Sequence, residues 1–251
     1  MLGTMSDSAT NKFVAMLAIV AAPFALGAFM LAWGPSDQFH RSNPRHDGYV
    51  QPRSIGDLVE KTQASTVSVY CDVSKTKGSM GTAWAIELKN GKDKKNPTTL
   101  ITNHHVIEEC IGGKGKLTVG ELWEKPVPAY IVKWDKKNDL AVLATGLELE
   151  PLGLSRSEPW PGYWAMVLGS AAGYEGSVAF GSVLNVTNYE IFYTANTSRG
   201  NSGGPLIDNE GLVMGTTSWE SPDVQFNGAK SLDAMCAKIL KCKGKYFWER
   251  D

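Results

Sequence analysis

Runs of β-branched and aromatic residues, each of strand length, recur along the chain from about residue 55 onward. Glycine, proline and asparagine separate these runs, and we expect hairpin turns at Asn90-Gly91 and at Asn209-Glu210-Gly211. This arrangement is typical of an all-β protein. One late segment, from Leu232 to Leu240, instead has helical periodicity. Its apolar face consists of Leu232, Met235, Cys236, Ile239 and Leu240.

Composition and charge place few further limits on the chain. Of its 251 residues, 43% are apolar and 20% are charged, and the formal net charge is −1, which is ordinary for a globular protein. A net charge near zero gives no broad attraction to nucleic acid or anionic lipid. The lysine-rich stretches at 92–95 and 136–137 fall in predicted loops, where solvated hairpin tips explain them. We therefore expect no nucleic-acid partner.

The N-terminal region differs from the rest of the chain. After a short tail at 1–12, the stretch from Phe13 to Trp33 has no charged side chain and no polar face. As a helix it would be about 30 Å long, which is enough to cross a bilayer. We interpret 13–33 as a transmembrane signal anchor. A cleaved signal peptide is the alternative, because the small residues of Ala25-Leu26-Gly27 suit cleavage.

The next segment, 34–54, is rich in Pro, Ser, Asn, Asp and Arg and poor in apolar side chains. Such a composition is typical of a solvated linker. We therefore expect one folded domain that spans residues 55–251 and begins with a short helix. Under both interpretations of the N-terminal segment, this domain is exported.

The sequence Gly-Asn-Ser-Gly-Gly-Pro-Leu at 200–206 indicates a site of chemistry. A serine hydroxyl becomes an effective nucleophile only beside a base, with amide N–H groups aimed at the developing oxyanion. The glycines around Ser202 permit a tight turn that directs amides inward and lets a substrate carbonyl approach. Taken alone, a Gly-Ser-Gly string is also typical of a flexible turn. The interpretation therefore depends on the rest of the chain.

Two other segments supply the partners that such a serine needs. The pair His104 and His105 follows the apolar run at 100–102, and Asp139 stands directly before another apolar run at 140–143. The chain order His, Asp, Ser is one of the known orders of a catalytic triad. Each residue alone has an ordinary structural explanation, since an aspartate in this position is often a turn former. The combination of all three predicts nucleophilic catalysis.

These segments resemble the three catalytic motifs of chymotrypsin-fold serine proteases, and most closely those of the bacterial HtrA/Deg-type branch. The similarity covers nearly everything after the mid-fifties. The motifs are Thr102-Asn103-His104-His105-Val106, Asn138-Asp139-Leu140-Ala141-Val142-Leu143 and Arg199-Gly200-Asn201-Ser202-Gly203-Gly204-Pro205-Leu206, flanked by similar segments at 58–70, 81–86 and 178–184. The resemblance implies two six-stranded antiparallel β-barrels with the site between them and a C-terminal helix packed against a barrel. The N-terminal hydrophobic helix would precede this all-β domain.

The resemblance also implies the role of each site residue. His105, which directly precedes Val as the family pattern requires, is the base, and His104 is structural. Asp139 orients the imidazole, and the backbone N–H groups of Gly200 and Ser202 form the oxyanion hole. The implied reaction is the hydrolysis of protein or peptide substrates by a serine endopeptidase, through an acyl-enzyme and with no cofactor or metal.

In this family the specificity pocket lies between the segment before the nucleophile and the strand after it. The substrate-binding residues implied here are Asn196, Thr217, Ser218 and Trp219. Asn196 falls near the pocket base, where an enzyme selective for Lys or Arg needs a carboxylate. We therefore expect a P1 residue that is not basic and is small or aliphatic.

Four cysteines, an even number without Cys-x-x-Cys metal spacing, agree with export. The family links its histidine loop to a first-barrel strand, which implies a Cys71–Cys110 disulfide and leaves Cys236 with Cys242. The last two are too far apart along a continuous helix, so the helix would have to end between them. Three connectivities are possible, and free thiols in a reducing compartment are the alternative.

HtrA-type proteins usually continue into a PDZ domain, but too few residues follow the last predicted helix for one. We therefore expect a stand-alone protease domain in an extracytoplasmic location, either attached to the membrane through 13–33 or secreted. A second hypothesis is a catalytically silent protease fold that acts as a binding module at the cell surface.

Overall fold

The computed structural model describes residues 49–88, 95–221 and 225–242. The predicted anchor at 13–33, most of the predicted linker at 34–54 and the turn at Asn90-Gly91 lie outside the described residues. Within the described part of the chain, no helix is both long and apolar enough to span a membrane.

The first six strands close into an antiparallel barrel in the order β1-β2-β3-β6-β5-β4. Their bounds are β1 Thr66–Ser74, β2 Lys77–Ile86, β3 Thr98–Thr102, β4 Lys116–Glu121, β5 Val127–Asp135 and β6 Leu140–Thr145. The predicted short helix, α1 (Ile55–Ala64), precedes β1. Alternate residues of a strand face opposite sides of a sheet, and β1 accordingly directs Val67, Val69 and Cys71 into the barrel core.

The last six strands close into a second antiparallel barrel in the order β10-β11-β12-β9-β8-β7. Their bounds are β7 Trp164–Ala171, β8 Tyr174–Val186, β9 Glu190–Tyr193, β10 Pro205–Ile207, β11 Val213–Glu220 and β12 Asn227–Ser231. The predicted hairpin turn at 209–211 joins β10 to β11, and Gly211 takes a φ of 78° there. The predicted all-β fold of two six-stranded barrels is therefore confirmed.

A buried apolar cluster joins the two barrels. Trp84 and Leu140 contribute from the first barrel, and Met166 and Ile207 contribute from the second. The indole N–H of Trp84 also donates to Thr216 Oγ1 of β11 at 3.2 Å. Because both barrels share this core, residues at the ends of their strands can be held in fixed positions across the cleft.

The predicted C-terminal helix is present in two parts. An α-helical turn, α3 (Leu232–Met235), continues into a π-helical turn at Cys236–Leu240. Lys241 then takes a left-handed conformation with a φ of 52°, which ends the helix and turns the chain back. The helix thus ends before Cys242, as the pairing of the last two cysteines required. The structure contains both predicted disulfides, Cys71–Cys110 and Cys236–Cys242.

The compact unit begins at Tyr49, earlier than the expected start at residue 55. The Tyr49 ring stacks on Tyr163 with a centroid separation of 3.9 Å, and its hydroxyl accepts from the Trp164 N–H at 2.6 Å. The carbonyl of Val50 accepts from Asn209 Nδ2 at 2.8 Å. The end of the predicted linker thus lies against the second barrel.

Candidate active site

A short helix that begins where β3 ends determines the position of His105. This helix, α2 (His104–Ile107), is anchored by the buried side chain of Val106. The Cys71–Cys110 disulfide ties the turn after α2 to strand β1. His104 is buried, whereas 46% of the His105 side chain is exposed. The imidazole of His105 is therefore the one that a substrate can reach.

Asp139 lies in the tight turn between β5 and β6, with a left-handed φ of 51°. Aspartate is one of the few residue types other than glycine that tolerate this conformation. The Asp139 carbonyl accepts from Asn103 Nδ2 at 2.7 Å, which joins the turn to the start of α2. Asp135 supports the same turn, because its carboxylate accepts from Asn138 Nδ2 at 2.6 Å. The turn thus places the Asp139 carboxylate next to His105.

The Asp139 carboxylate accepts hydrogen bonds at both oxygens. His105 Nδ1–H donates to Oδ2 at 2.8 Å, and the His105 backbone N–H donates to Oδ1 at 3.0 Å. The Ser218 hydroxyl also donates to Oδ2, at 2.7 Å. Since an ionised carboxylate can only accept, the proton of the neutral imidazole is on Nδ1, and Nε2 is free to accept a proton.

The ionisation of Asp139 follows from the same contacts. Burial alone would raise its pKa, but hydrogen bonds from His105 and Ser218, together with the charge of His105, outweigh that effect. The pKa of Asp139 therefore lies below its usual range. The carboxylate is ionised at neutral pH, where it can stabilise a positive charge on the imidazole.

Ser202 lies beside this pair, and Ser218 connects it to Asp139. The Ser202 hydroxyl donates to the Ser218 carbonyl at 3.3 Å, while the Ser218 hydroxyl binds Asp139. Among the hydrogen bonds of the described residues, none joins Ser202 Oγ to His105. The structure thus brings His105 and Asp139 into direct contact and brings Ser202 to them through a shared neighbour.

The loop before Ser202 has a fixed peptide orientation. The Arg199 carbonyl accepts from the Ala172 N–H at 2.7 Å. This carbonyl and the Gly200 N–H belong to the same trans peptide, in which C=O and N–H point in opposite directions. The Gly200 N–H therefore points away from Ala172. Gly200 has a φ of 101°, which glycine adopts at no steric cost. A Cβ at Gly200 would lie 2.1 Å from the Ser170 carbonyl oxygen. The N–H groups of Gly200 and Ser202 donate no hydrogen bond to another described residue.

A cavity of about 190 Å³ opens beside Ser202. Its lining consists of Thr197, Ser198, Arg199, Asn201, Ser202, Thr217, Ser218, Trp219 and Glu220. Three of the predicted substrate-binding residues, Thr217, Ser218 and Trp219, are in this lining. Asn196 is exposed and lines a neighbouring cavity of about 470 Å³, which shares Thr197 and Glu220 with the first. Within residues 49–88, 95–221 and 225–242, no group of three or more His, Cys, Asp or Glu side chains could hold a metal ion.

Comparison with protein families connects this geometry to known proteins. The model of the trypsin-like peptidase domain matches residues 81–215, a range that includes His105, Asp139 and Ser202. The chain belongs to the trypsin-like peptidase family. The resemblance predicted from the three motifs is therefore confirmed.

The relatives of this trypsin-like peptidase include bacterial endoproteases. It is 32% identical over 130 residues to a probable periplasmic serine endoprotease, DegP-like, of Chlamydia trachomatis, in a match that covers 47% of this chain and 25% of the relative. A DegP-like protein of the same description from Hahella chejuensis is 35% identical over 130 residues, with 47% and 27% covered. The chain thus spans about a quarter of the length of these curated relatives.

Solved structures show the same fold. A serine endoprotease from Yersinia pestis matches with a TM-score of 0.63 and 22% identity, over 76% of this chain and 66% of that chain. The active form of the Rv3671c protease from M. tuberculosis matches with a TM-score of 0.63 and 21% identity, over 80% and 92% of the two chains. At this level of identity, the likeness concerns the fold alone.

Sequence reasoning missed three contacts in this trypsin-like peptidase. It assigned Ser218 to substrate binding and overlooked its hydrogen bond to Asp139. It gave no role to the side chain of Asn103, although that residue belongs to the histidine motif. It also gave none to Thr82, whose hydroxyl donates to the Gly200 carbonyl at 2.7 Å. All three residues lie within or next to segments that carry the family resemblance, which was the available signal.

Proposed function

We propose that this chain is a serine endopeptidase that hydrolyses peptide bonds through an acyl-enzyme, with Ser202, His105 and Asp139 as its catalytic triad. The observation that carries the proposal is the 2.8 Å hydrogen bond between His105 Nδ1 and Asp139 Oδ2, next to a serine in a glycine-rich loop. That bond leaves the basic nitrogen of His105 free to receive a proton. The description of the curated relatives as serine endoproteases supports the same reaction class.

In the acylation step, Ser202 Oγ turns from the Ser218 carbonyl toward His105 and attacks the carbonyl carbon of the scissile bond. The Ser202 proton passes to His105 Nε2 as the C–O bond forms, and the carbonyl π electrons move to oxygen. The N–H groups of Gly200 and Ser202 stabilise that oxyanion, and each such donor is typically worth about 3 kcal/mol in the transition state. The imidazolium, stabilised by Asp139, then protonates the leaving amine as the C–N bond breaks.

Deacylation repeats these steps with water as the nucleophile. A water molecule takes the place of the amine product. His105 accepts one proton from this water as the water oxygen attacks the ester carbonyl. When the second tetrahedral intermediate collapses, Ser202 leaves as an alcohol with the proton from His105, and the new carboxylic acid is released. The chain's own residues thus return to their starting protonation states.

For the substrate, we propose a P1 residue that is not basic and is small or aliphatic. The charge of the cavity lining supports this proposal, because selectivity for Lys or Arg needs a carboxylate in the pocket whose charge is not offset by a cation. The cavity beside Ser202 has one carboxylate in its lining, Glu220, and Arg199 in the same lining offsets its charge. Cleavage of a peptide library tests the proposal, and strong preference for Arg or Lys at P1 would overturn it.

We further propose an extracytoplasmic location for the peptidase. Two disulfides and the periplasmic description of the relatives support it, since structural disulfides persist in oxidising compartments. In this proposal residues 13–33 direct export, either as a retained anchor or as a cleaved signal peptide. Fractionation of expressing cells, followed by the mass of the recovered chain, separates the two routes. Recovery of the chain only in the cytoplasm, with reduced cysteines, contradicts the proposed location.

A fluorophosphonate probe tests the proposed catalysis directly. We expect the oxidised wild-type protein to be labelled, and labelling to be lost in Ser202→Ala and strongly reduced in His105→Gln. His104→Gln is the matched control, because it changes the adjacent histidine, which has no contact with Asp139 in the described hydrogen bonds. We expect folded His104→Gln to keep its labelling. An oxidised wild-type sample that is folded, judged by thermal unfolding, but is neither labelled nor proteolytic would favour the binding module instead.

A further inference from the structure

Thr82 joins the first barrel to the nucleophile loop of the second. It lies on β2, and none of its side chain is exposed. Its backbone N–H donates to the Ser202 carbonyl at 2.8 Å, and its hydroxyl donates to the Gly200 carbonyl at 2.7 Å. The same hydroxyl accepts from the Ser170 N–H at 3.1 Å. Thr82 thus contacts both ends of the segment from Gly200 to Ser202, through its hydroxyl at Gly200 and its backbone N–H at Ser202, and its hydroxyl also contacts β7.

The environment of Thr82 leaves this hydroxyl little freedom. The Thr82 carbonyl accepts from Thr102 Oγ1 at 2.7 Å, so the backbone is held on both sides. A Cβ at Gly169 would lie 3.0 Å from Thr82 Oγ1, and one at Gly203 would lie 2.1 Å from the Thr82 carbonyl oxygen. The two glycines therefore allow the second barrel to pack closely on Thr82. Threonine is also stiff at χ1, which favours a single hydroxyl position.

This contact matters because Gly200 lies between two peptide planes. The Ala172 N–H holds the plane before Gly200 through the Arg199 carbonyl, and the Thr82 hydroxyl holds the plane after it. Glycine has wide backbone freedom, so a Gly200 without these contacts can rotate its N–H away from the site. With both planes held, the φ of 101° and the direction of the N–H are fixed.

We propose that Thr82 is a positioning residue that holds the oxyanion hole in its active orientation through the Gly200 carbonyl. The inference rests on the proposed endopeptidase function, because it concerns the transition state of that reaction. Thr82 contacts neither the substrate nor the reacting atoms. It acts through the backbone of Gly200 and Ser202, so its removal affects turnover more than substrate binding.

The test compares three substitutions of Thr82 in the full, oxidised chain. Thr82→Val keeps the shape and loses the hydroxyl, Thr82→Ala loses both methyl and hydroxyl, and Thr82→Ser keeps the hydroxyl. With a quenched peptide that the wild type cleaves, we expect kcat to fall at least about tenfold in the Val and Ala variants, with KM within about twofold. The loss of a whole oxyanion donor, about 10²–10³ in kcat, is the upper limit. We expect Thr82→Ser to recover most of the wild-type kcat.

A buried threonine elsewhere in the barrel controls for general destabilisation. Thr66 is buried at the start of β1, and its hydroxyl donates to the Thr62 carbonyl at 2.7 Å, away from the nucleophile loop. We expect Thr66→Val to lower thermal stability without changing kcat. Unchanged kcat in folded Thr82→Val, or in folded Thr82→Ala if the Val variant does not fold, overturns the inference. So does an equal loss of kcat in Thr82→Ser. Failure of the wild type to cleave or to be labelled contradicts the proposed function instead.

Discussion

The Ser218 hydroxyl donates to the Asp139 carboxylate at 2.7 Å. A residue of the second barrel thus binds directly to an acidic residue of the first barrel. Asp139 accepts from His105 at the same oxygen, Oδ2. The acid therefore sits at the centre of contacts from both barrels. Hydrogen bonds to a charged acceptor are stronger than neutral ones, so this arrangement favours a defined position of the imidazole.

We predict that Ser218→Ala lowers kcat/KM by about tenfold. The substitution removes a hydrogen bond to a charged group, which is worth about 1.5–3 kcal/mol. Water recovers part of this loss, because 23% of the Asp139 side chain is exposed. The Ser218 carbonyl that accepts from Ser202 is retained. Steady-state kinetics with a peptide substrate provide the measurement, and Ser218→Thr, which keeps a hydroxyl, is the control. Full activity in Ser218→Ala would show that this bond has no part in turnover.

We predict that Asp139→Asn lowers kcat by about 10⁴-fold, because an amide no longer fixes the imidazole tautomer or stabilises the imidazolium. KM should change little, since Asp139 does not line the cavity beside Ser202. Kinetics across pH 6 to 9, compared with the exposed variant Asp57→Asn, provide the measurement. Unchanged kcat in folded Asp139→Asn would contradict the role assigned to this carboxylate.

The pKa of Asp139 also gives stability a pH dependence. Its pKa is lowered in the folded state, so the carboxylate adds stability at pH values above its unfolded pKa. That contribution is lost as the pH falls through the lower, folded value. We therefore expect the difference in the free energy of unfolding between the wild type and Asp139→Asn to shrink below about pH 4. A difference that stays constant down to acid pH would contradict the assigned hydrogen bonds.

The all-β class and the three motif residues could be predicted because each is marked by a local pattern, whereas the two six-stranded barrels were implied by the family resemblance. Strand-length apolar runs with turn residues between them indicate strands, and His105, Asp139 and Ser202 each stand close to such a run. The pairing of Cys236 with Cys242 was what remained once the family resemblance had implied Cys71–Cys110, and helical rise added that the helix must end between the two cysteines.

Contacts between the barrels could not be predicted from local sequence patterns. Thr82 and Ser170 are far apart in the chain, and no local pattern marks the hydrogen bond between them at 3.1 Å. The position of Asn196 depends on the path of an irregular loop, so a predicted place at the pocket base gave way to an exposed one beside the neighbouring cavity. The contact of Tyr49 with Tyr163 was not predicted for another reason. The polar composition around Tyr49 indicated a linker.

Glu175 gives a further prediction, which concerns the turn between β7 and β8. Its carboxylate accepts from the Tyr70 hydroxyl and from the Trp123 N–H, each at 2.5 Å. The same turn contains Ala172, whose N–H holds the Arg199 carbonyl. We predict that Tyr70→Phe lowers kcat severalfold, because the turn that orients the nucleophile loop is less firmly attached to the first barrel. Tyr174→Phe, at the first residue of β8 and 76% exposed as a tyrosine, should leave kcat unchanged.

The same pair predicts behaviour at high pH. Burial, and then the hydrogen bond with Glu175, raises the pKa of Tyr70 to about 12. A tyrosine with a raised folded pKa adds stability below its unfolded value of about 10, and this contribution is lost as the pH rises through about 12. We expect the stability difference between the wild type and Tyr70→Phe to decline over that range. Tyr193, whose pKa burial also raises to about 12, is present in both proteins and cancels.

The two disulfides should differ in what they contribute to stability. Cys71 and Cys110 are 39 residues apart in sequence, whereas Cys236 and Cys242 are 6 apart. A cross-link that closes a longer loop removes more entropy from the unfolded chain. On this basis the first disulfide is worth about 4 kcal/mol and the second about 2 kcal/mol.

We predict that replacing both cysteines of the first pair with alanine lowers the free energy of unfolding in urea by about twice as much as replacing the second pair. Reduced wild-type protein should show the sum of the two losses. Equal losses, or a larger loss from the second pair, would mean that chain entropy is not the main contribution of these bonds.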